Sequence, residues 1–171
     1  MNGDESHVYD ILREYSKNGE WKFFEVVDKD SGKQKPQSKI YPDLGYWVSY
    51  PDFEFYSEKK LLLLVEVKGY YGFFGNTKNC VAMKLRNFNS YRKVRLYENV
   101  PLRICFIIKK GRKRLMFWES IDIVENFPNY IETVKYKEKD FETGELIDRV
   151  DDFIFWDSSL FRTDEENLPL R

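Results

Sequence analysis

Two short stretches hold acids and a lysine where they could do chemistry together. The run Leu61-Leu62-Leu63-Leu64-Val65-Glu66-Val67-Lys68 is apolar for five residues and then abruptly charged. Such a run suits a central strand buried on both faces. Period-two alternation puts Glu66 and Lys68 on one side of it. Burying a carboxylate costs several kcal/mol unless it is paired or metal-bound. Two readings follow: the strand end emerges into solvent with an ordinary ion pair, or it delivers charged groups to a site.

The second stretch is Tyr50-Pro51-Asp52, which repeats Tyr41-Pro42-Asp43 nine residues later. If Ser57 pairs with Leu61 across the loop Glu58-Lys59-Lys60, an antiparallel hairpin sets Asp52 opposite Glu66, with Cβ atoms about 5 Å apart. Two acids that close repel unless a cation sits between them. With Lys68 beside them, they suit Mg²⁺ and a phosphate. A two-residue turn would shift the register by one and weaken this geometry. Asp43 precedes Leu44-Gly45 and fits a structural turn. Glu58-Lys59-Lys60 also spells Glu-x-Lys, but in a hairpin loop, where solvated charge is ordinary.

The elements that must position these residues follow from periodicity. Val8, Ile11, Leu12 and Tyr15 predict a helix from Asp4 to Asn18, with Asp4 as N-cap and Asn18-Gly19 as stop. Strands are expected over Trp21 to Asp28, Gly45 to Ser57 (bent at Pro51), Leu61 to Gly69, Leu102 to Lys109 and Leu115 to Glu119. Lys29 to Lys39 reads as a loop, and Tyr70 to Asn79 as a glycine-rich aromatic loop. Val81 to Tyr97 reads as a helix with charge on more than one side. A hairpin is expected around Thr143-Gly144, and Asp164 to Arg171 reads as a frayed tail. The order implies an α/β or α+β sheet with a helix on each side.

The chain has 171 residues, which points to one domain. The first residues do not read as a signal peptide, and there is no apolar run of about 20 residues to cross a membrane. Cys80 and Cys105 have no metal spacing and read as reduced thiols of an intracellular protein. His7 is the single histidine, which excludes mechanisms needing two, and reads as a surface residue. Charge is uneven. From Lys68 to Arg114 there are 13 basic residues and one acid, Glu98, whereas Leu115 to Arg171 holds 15 acids and 6 bases. A cationic middle suggests a polyanion partner. The plainer alternative is a basic face balanced in space by the acidic tail.

Pro51-Asp52 followed by Glu66-Val67-Lys68 at a strand end resembles the PD-(D/E)XK nuclease superfamily. That group includes restriction endonucleases, archaeal Holliday junction resolvases and nuclease domains of recombination enzymes. Glu5 followed by Val8, Ile11 and Leu12 matches its leading helix, with Glu14 a second candidate in a polar stretch. Asn87-Phe88-Asn89-Ser90-Tyr91 is similar to the Gln-x-x-x-Tyr of some branches, with Asn for Gln. The resemblance spans about Glu5 to Lys109.

It implies an α/β fold with a restriction-endonuclease-like core: a mixed central β-sheet flanked by helices, with an extra C-terminal β-hairpin. Residues 1–171 would form a single nuclease-like domain, with a core over about 4–120 and an acidic extension over about 121–171. The implied activity is Mg²⁺- or Mn²⁺-dependent phosphodiester hydrolysis, on DNA before RNA, as an endonuclease before an exonuclease. Asp52, Glu66 and the Val67 carbonyl would hold the ion. Lys68 would orient water or neutralise the phosphate, and Glu5 would serve a second metal or its water. A non-catalytic nucleic-acid-binding module of the same fold is the alternative. Substrate phosphates would meet Lys84, Arg86, Arg92, Lys93 and Arg95, then Lys109, Lys110 and Arg112 with their neighbours Lys113 and Arg114, and Tyr91 would join them. Phe73 and Phe74 would either stack on bases or cap the core. A homodimer or a larger nuclease complex is the expected assembly, with no membrane partner.

Overall fold

The computed structural model describes residues 3–17, 21–25, 38–41, 44–73, 79–140, 143–165 and 168. A five-stranded mixed sheet runs in the order β1 (Trp21–Glu25), β4 (Phe53–Ser57), β5 (Lys60–Tyr71), β7 (Leu102–Lys110), β8 (Lys113–Ser120). β5 is its centre. It pairs antiparallel with β4 and parallel with β7, and β7 pairs antiparallel with β8. Leu63 to Val67 are all buried, as an apolar run in a central strand requires.

The two faces of β5 feed two separate cores. Leu63, Val65 and Val67 join Phe53, Phe55, Cys105, Ile107 and Trp118 beneath α1 (Gly3–Lys17), which docks through Val8 and Leu12. Leu64, with Ile104, Phe106 and Ile108, faces α2 (Leu85–Glu98). α2 buries only Phe88, Tyr91 and Val94, a narrow stripe that leaves its other sides charged. It stops at Asn99, whose φ of 51° is the left-handed cap conformation and whose N–H bonds Arg95 O, with Pro101 just beyond. Phe88 packs edge-on against Trp156, which ties α2 to a second sheet.

That second sheet has the order β6 (Cys80–Lys84), β10 (Leu146–Asp157), β9 (Asn129–Lys139). β9 and β10 are the expected C-terminal hairpin, extended to eleven paired positions. α3 (Ile121–Val124) bridges β8 to it.

Several expectations need correcting. Cys80–Lys84 is a strand, not the first turns of the helix. Its apolar run fits either element, and pairing with β10 decides it. Gly45 to Ser57 is not one bent strand. β3 (Trp47–Ser49) pairs with β2 (Ser38–Ile40), which begins at the end of the segment read as loop, and β4 begins after Pro51, which has no N–H to donate. The Tyr70–Asn79 loop starts later, because β5 runs to Tyr71. The tail is not frayed at Asp164, whose carbonyl accepts from Trp118 Nε1, or at Leu168, which is fully buried. Residues 26–37, the helix stop at 18–19, Asp43, and Phe74 to Lys78 lie outside the described residues. The mixed sheet with a helix on each face is otherwise the core the sequence implies.

The β4–β5 turn offers a direct check on this geometry. Glu58 sits at φ 53°, where an L-residue pays about 1–2 kcal/mol. Glu58→Gly removes that strain against a smaller gain in unfolded-chain entropy. The expected result is a rise in stability of about 0.5–1 kcal/mol, or about 1–4 °C in Tm, read by thermal denaturation. A fall would show that this backbone conformation is not the one adopted.

Candidate active site

The turn between β4 and β5 is two residues, Glu58-Lys59, with Ser57 paired to Lys60 and Tyr56 to Leu61. Left alone, that turn puts Asp52 and Glu66 out of register. It is corrected one step later. Leu62 is an extra residue in β5, and beyond it Phe55 pairs with Leu63, Glu54 with Leu64 and Phe53 with Val65. A bulge of this kind sets two residues of one strand against one of its partner and reverses the side-chain alternation. Accordingly, Leu61 packs toward the α2 side whereas Leu63 packs toward α1. Continued by one position, this register would bring Asp52 level with Glu66, although the pairing itself ends at Phe53 and Val65. Asp52 lies on a bend just before β4, and Val67 N–H donates to its Oδ2 at 2.8 Å. The two carboxylates are therefore pinned to the same end of β5.

Glu66 is 1% exposed and interacts with the side chains of Lys68 and Tyr91. The Lys68 contact is ionic: Lys68 Nζ touches Oε1. Behind them stands Tyr91 of α2, 2% exposed, with Lys68 Nζ 5.9 Å from its ring centroid. Burial, then the charge of Glu66, raises the Tyr91 phenol well above its ordinary range, so it stays protonated. Burial works against the Lys68 cation, but Glu66 first and Asp52 with it prevail, and its titration moves well above that of a free lysine. Tyr70 is pushed up to about 12, mainly by burial. It also feels Lys68, Glu66 and Tyr136, which links the site electrostatically to β9.

The chemistry of this set is restricted. Cys105 is fully buried, and burial raises its thiol far from the reactive range, so it offers no nucleophile. His7 pairs with Glu165 at 3.1 Å near the C-terminal end of the chain. Among the described residues no three or more His, Cys, Asp or Glu side chains gather. What remains is two carboxylates at one end of β5 and one cationic lysine. A buried carboxylate with a second one at the same strand end is costly, and a single lysine balances only one of the two charges. A hard divalent cation meets that need, with water and substrate oxygens completing its shell. The Asp52–Glu66 pair fits such an ion on this ground. At Val67 the group seen engaged is its N–H, which holds Asp52.

The other expected site residues are dispersed. α1 packs on the face of the sheet opposite Glu66, and the Glu5 side chain lies outside the described residues. Phe73 packs against Phe117 at 5.8 Å between centroids and belongs to the core. The bases around α2 meet the acidic half of the chain. Lys84 pairs with Glu138 at 3.3 Å and Asp151 at 3.4 Å, and Arg86 with Asp151 at 3.4 Å. Arg92 pairs with Glu125 and Arg95 with Asp122, both at 2.9 Å. Lys93 meets the Tyr46 hydroxyl and lies 4.7 Å from its ring centroid. Lys109, Lys110 and Arg112 stand apart, at the β7–β8 hairpin. Sequence reasoning missed the partners Tyr136 and Asp151. No local signal marks them, since they reach Lys84 and Arg86 only through the pairing of β6 with β10.

Two measurements test this electrostatic picture. Lys68→Met leaves Glu66 buried without its cation, with an expected loss of about 3–5 kcal/mol in unfolding free energy. Glu66→Gln with Lys68→Met should lose far less, and millimolar Mg²⁺ should raise the Tm of wild type and Lys68→Met alike. A wild type indifferent to divalent ions would mark a purely structural ion pair. The second test concerns Asp151. Burial raises its carboxyl, but the Tyr136 hydrogen bond, Lys84 and Arg86 outweigh that and hold it below the usual carboxylate range. A folded value below the unfolded one, about 3.9, gives stability that is present above it and lost as pH falls through the folded value. Asp151→Asn should flatten the fall of Tm below about pH 4. An unchanged acid limb would remove Asp151 from the linkage.

Comparison with family models and with curated proteins finds no match. Among solved structures the chain is similar to Hjc, a Holliday junction resolvase from the archaeal hyperthermophile Archaeoglobus fulgidus. That likeness covers 95% of this chain and 93% of the other, at 11% sequence identity and a TM-score of 0.48.

Proposed function

We propose that this chain is a divalent-metal-dependent phosphodiesterase that cuts nucleic acid, DNA before RNA, and within the strand before at its end. The observation that carries the reading is Glu66: buried on the central strand, touching Lys68, and at the same strand end as Asp52, which the Val67 N–H holds. An ion pair needed only for stability has no reason to be placed beside a second carboxylate at the same strand end. The motif Pro51-Asp52…Glu66-Val67-Lys68, with Glu66 to Lys68 on the central strand and Asp52 on the bend before β4, supports the same reading.

Asp52 and Glu66 would hold the cation, which when bound would lower the pKa of an attacking water and offset charge on the phosphate. Asp52 is kept in place by the Val67 N–H. Lys68 stays protonated across the working pH range, so it donates hydrogen bonds and charge to a phosphate oxygen rather than accepting a proton. Tyr91, protonated and buried, backs Glu66 and excludes water from its inner side.

A second reading also has an observation behind it. Lys84, Arg86, Arg92 and Arg95 are already matched by Glu138, Asp151, Glu125 and Asp122. That supports a protein whose acidic half docks on its own basic helix, with no phosphate there. One panel separates the two: a mixed pool of DNA and RNA incubated with Mg²⁺, with Mn²⁺ and with EDTA. Cleavage that needs the ion is expected. Asp52→Ala, Glu66→Ala and Lys68→Ala should each reduce it by a hundredfold or more, on the order of one lost charge-stabilising group, and Asp43→Ala should cut normally. An active Asp52→Ala or Glu66→Ala protein would overturn the assignment.

A further inference from the structure

The β7–β8 hairpin differs from the basic helix in one respect. Its register sets Lys109 opposite Arg114 and Lys110 opposite Lys113, with Gly111 and Arg112 between. Directly opposed like charges destabilise an antiparallel pair, and here two such pairs are adjacent. Lys110, Arg112, Lys113 and Arg114 make no ion pair among the described residues, although acids elsewhere in the chain match the bases of α2. Beside this tip lies Tyr71, 90% exposed, paired across the sheet with Lys109, whose Nζ is 4.7 Å from its ring centroid. Tyr71, Lys109 and Arg114 thus form one row across β5, β7 and β8.

The row lies at the C-terminal end of β5, and alternation puts it on the α1 face of the sheet, opposite Glu66 and Lys68. Lys68 is level with Phe106, four residues before Lys110, so the tip begins about 13 Å beyond it. An aromatic ring left open at the mouth of a cationic patch is a stacking platform. A base offers its flat face only when it is unpaired.

We infer that the β7–β8 tip and Tyr71 form a docking site for an unpaired, single-stranded stretch of nucleic acid at the end of the central sheet. Phosphates lie along Lys110, Arg112, Lys113 and Arg114, and a base stacks on Tyr71. Arg86, Arg92 and Arg95 of α2, paired with acids of the same chain, are not part of this track. The inference rests on the nuclease reading for what happens to the strand, but docking is measured apart from cleavage.

The test uses full-length protein carrying Asp52→Ala and a fluorescein-labelled oligonucleotide of mixed sequence, single-stranded or as a duplex, titrated by anisotropy at several salt concentrations. Tighter binding of the single strand is expected. Tyr71→Ala should weaken it by about 5- to 150-fold, the range of one base stack, with little change for duplex, and Tyr71→Phe should restore it. Lys113→Glu should lower the log-log salt slope for single strands by about 0.7 for each phosphate that the variant leaves unneutralised. The same change should raise Tm by about 1–4 °C, because it turns an opposed like-charge pair into a complementary one. Unaltered binding by Lys113→Glu, or an unaltered preference for single strands in Tyr71→Ala, overturns the inference. If docking behaves as expected and the wild type still fails to cleave with Mg²⁺, the nuclease reading fails and the docking site stands. If the wild type cleaves and both variants bind as before, the docking site fails alone.

Discussion

The burial of Glu66 is the constraint from which the rest of the architecture can be argued. A carboxylate at 1% exposure on the central strand of a sheet demands a counter-charge that is itself held in place. Lys68 is the nearest residue able to supply it, because alternation returns it to the same face. Tyr91 closes the inner side from α2, and Asp52 is held at the strand end by the Val67 N–H. Each of these requires β5 to be central, with β4 on one edge and the β7 crossover on the other. The apolar run before Glu66 is what puts β5 there.

Around that site the charge of the chain is divided by its folding. The acidic C-terminal half does not hang free. Its hairpin pairs β10 with β6 and so carries Glu138 and Asp151 to Lys84 and Arg86, while α3 and its C-cap bring Asp122 and Glu125 to Arg95 and Arg92. Exposed pairs of this sort contribute little stability individually. Their larger effect is on the outward field: a helix rich in lysine and arginine is made nearly neutral, and the uncompensated positive potential moves to the β7–β8 tip. The plainer interpretation of the sequence charge, a basic face balanced in space by the tail, describes α2 well and the tip poorly.

Legibility in the sequence follows the range of the interactions. The hairpin from Asp52 to Lys68 was readable because both strands, their turn and their alternation lie within one short segment, and the helical stripe of Val8 and Leu12 was readable for the same reason. β6 was not, since Val81-Ala82-Met83 becomes a strand only by pairing with residues that come some seventy positions later. Nor were the ion pairs of Lys84 and Arg86, whose partners lie 54 and 65 residues away. The split of one proline-bent strand into β3 and β4 belongs to the same class, because the partner of β3 comes from a segment with no strand signal of its own.

The turn at Glu58-Lys59 shows how a local miscount can leave an expected register unchanged. Counting a three-residue loop and counting a two-residue loop plus a bulge give the same offset between Asp52 and Glu66, because each adds one residue to the path. The two are not equivalent structurally. With a two-residue turn and no bulge, Asp52 would fall opposite Val65 and share its face. Glu66 would then look the other way, since a one-residue slip in a strand exchanges its faces. The apolar set of β5 would be exchanged with it, sending Leu63 and Val65 away from Phe53 and Phe55. The bulge at Leu62 lets the hairpin keep a tight turn, lets Leu61 and Leu63 enter different cores, and lets both acids face α2. Register at the site is therefore set by a residue with no chemistry of its own, four positions before the carboxylate it orients.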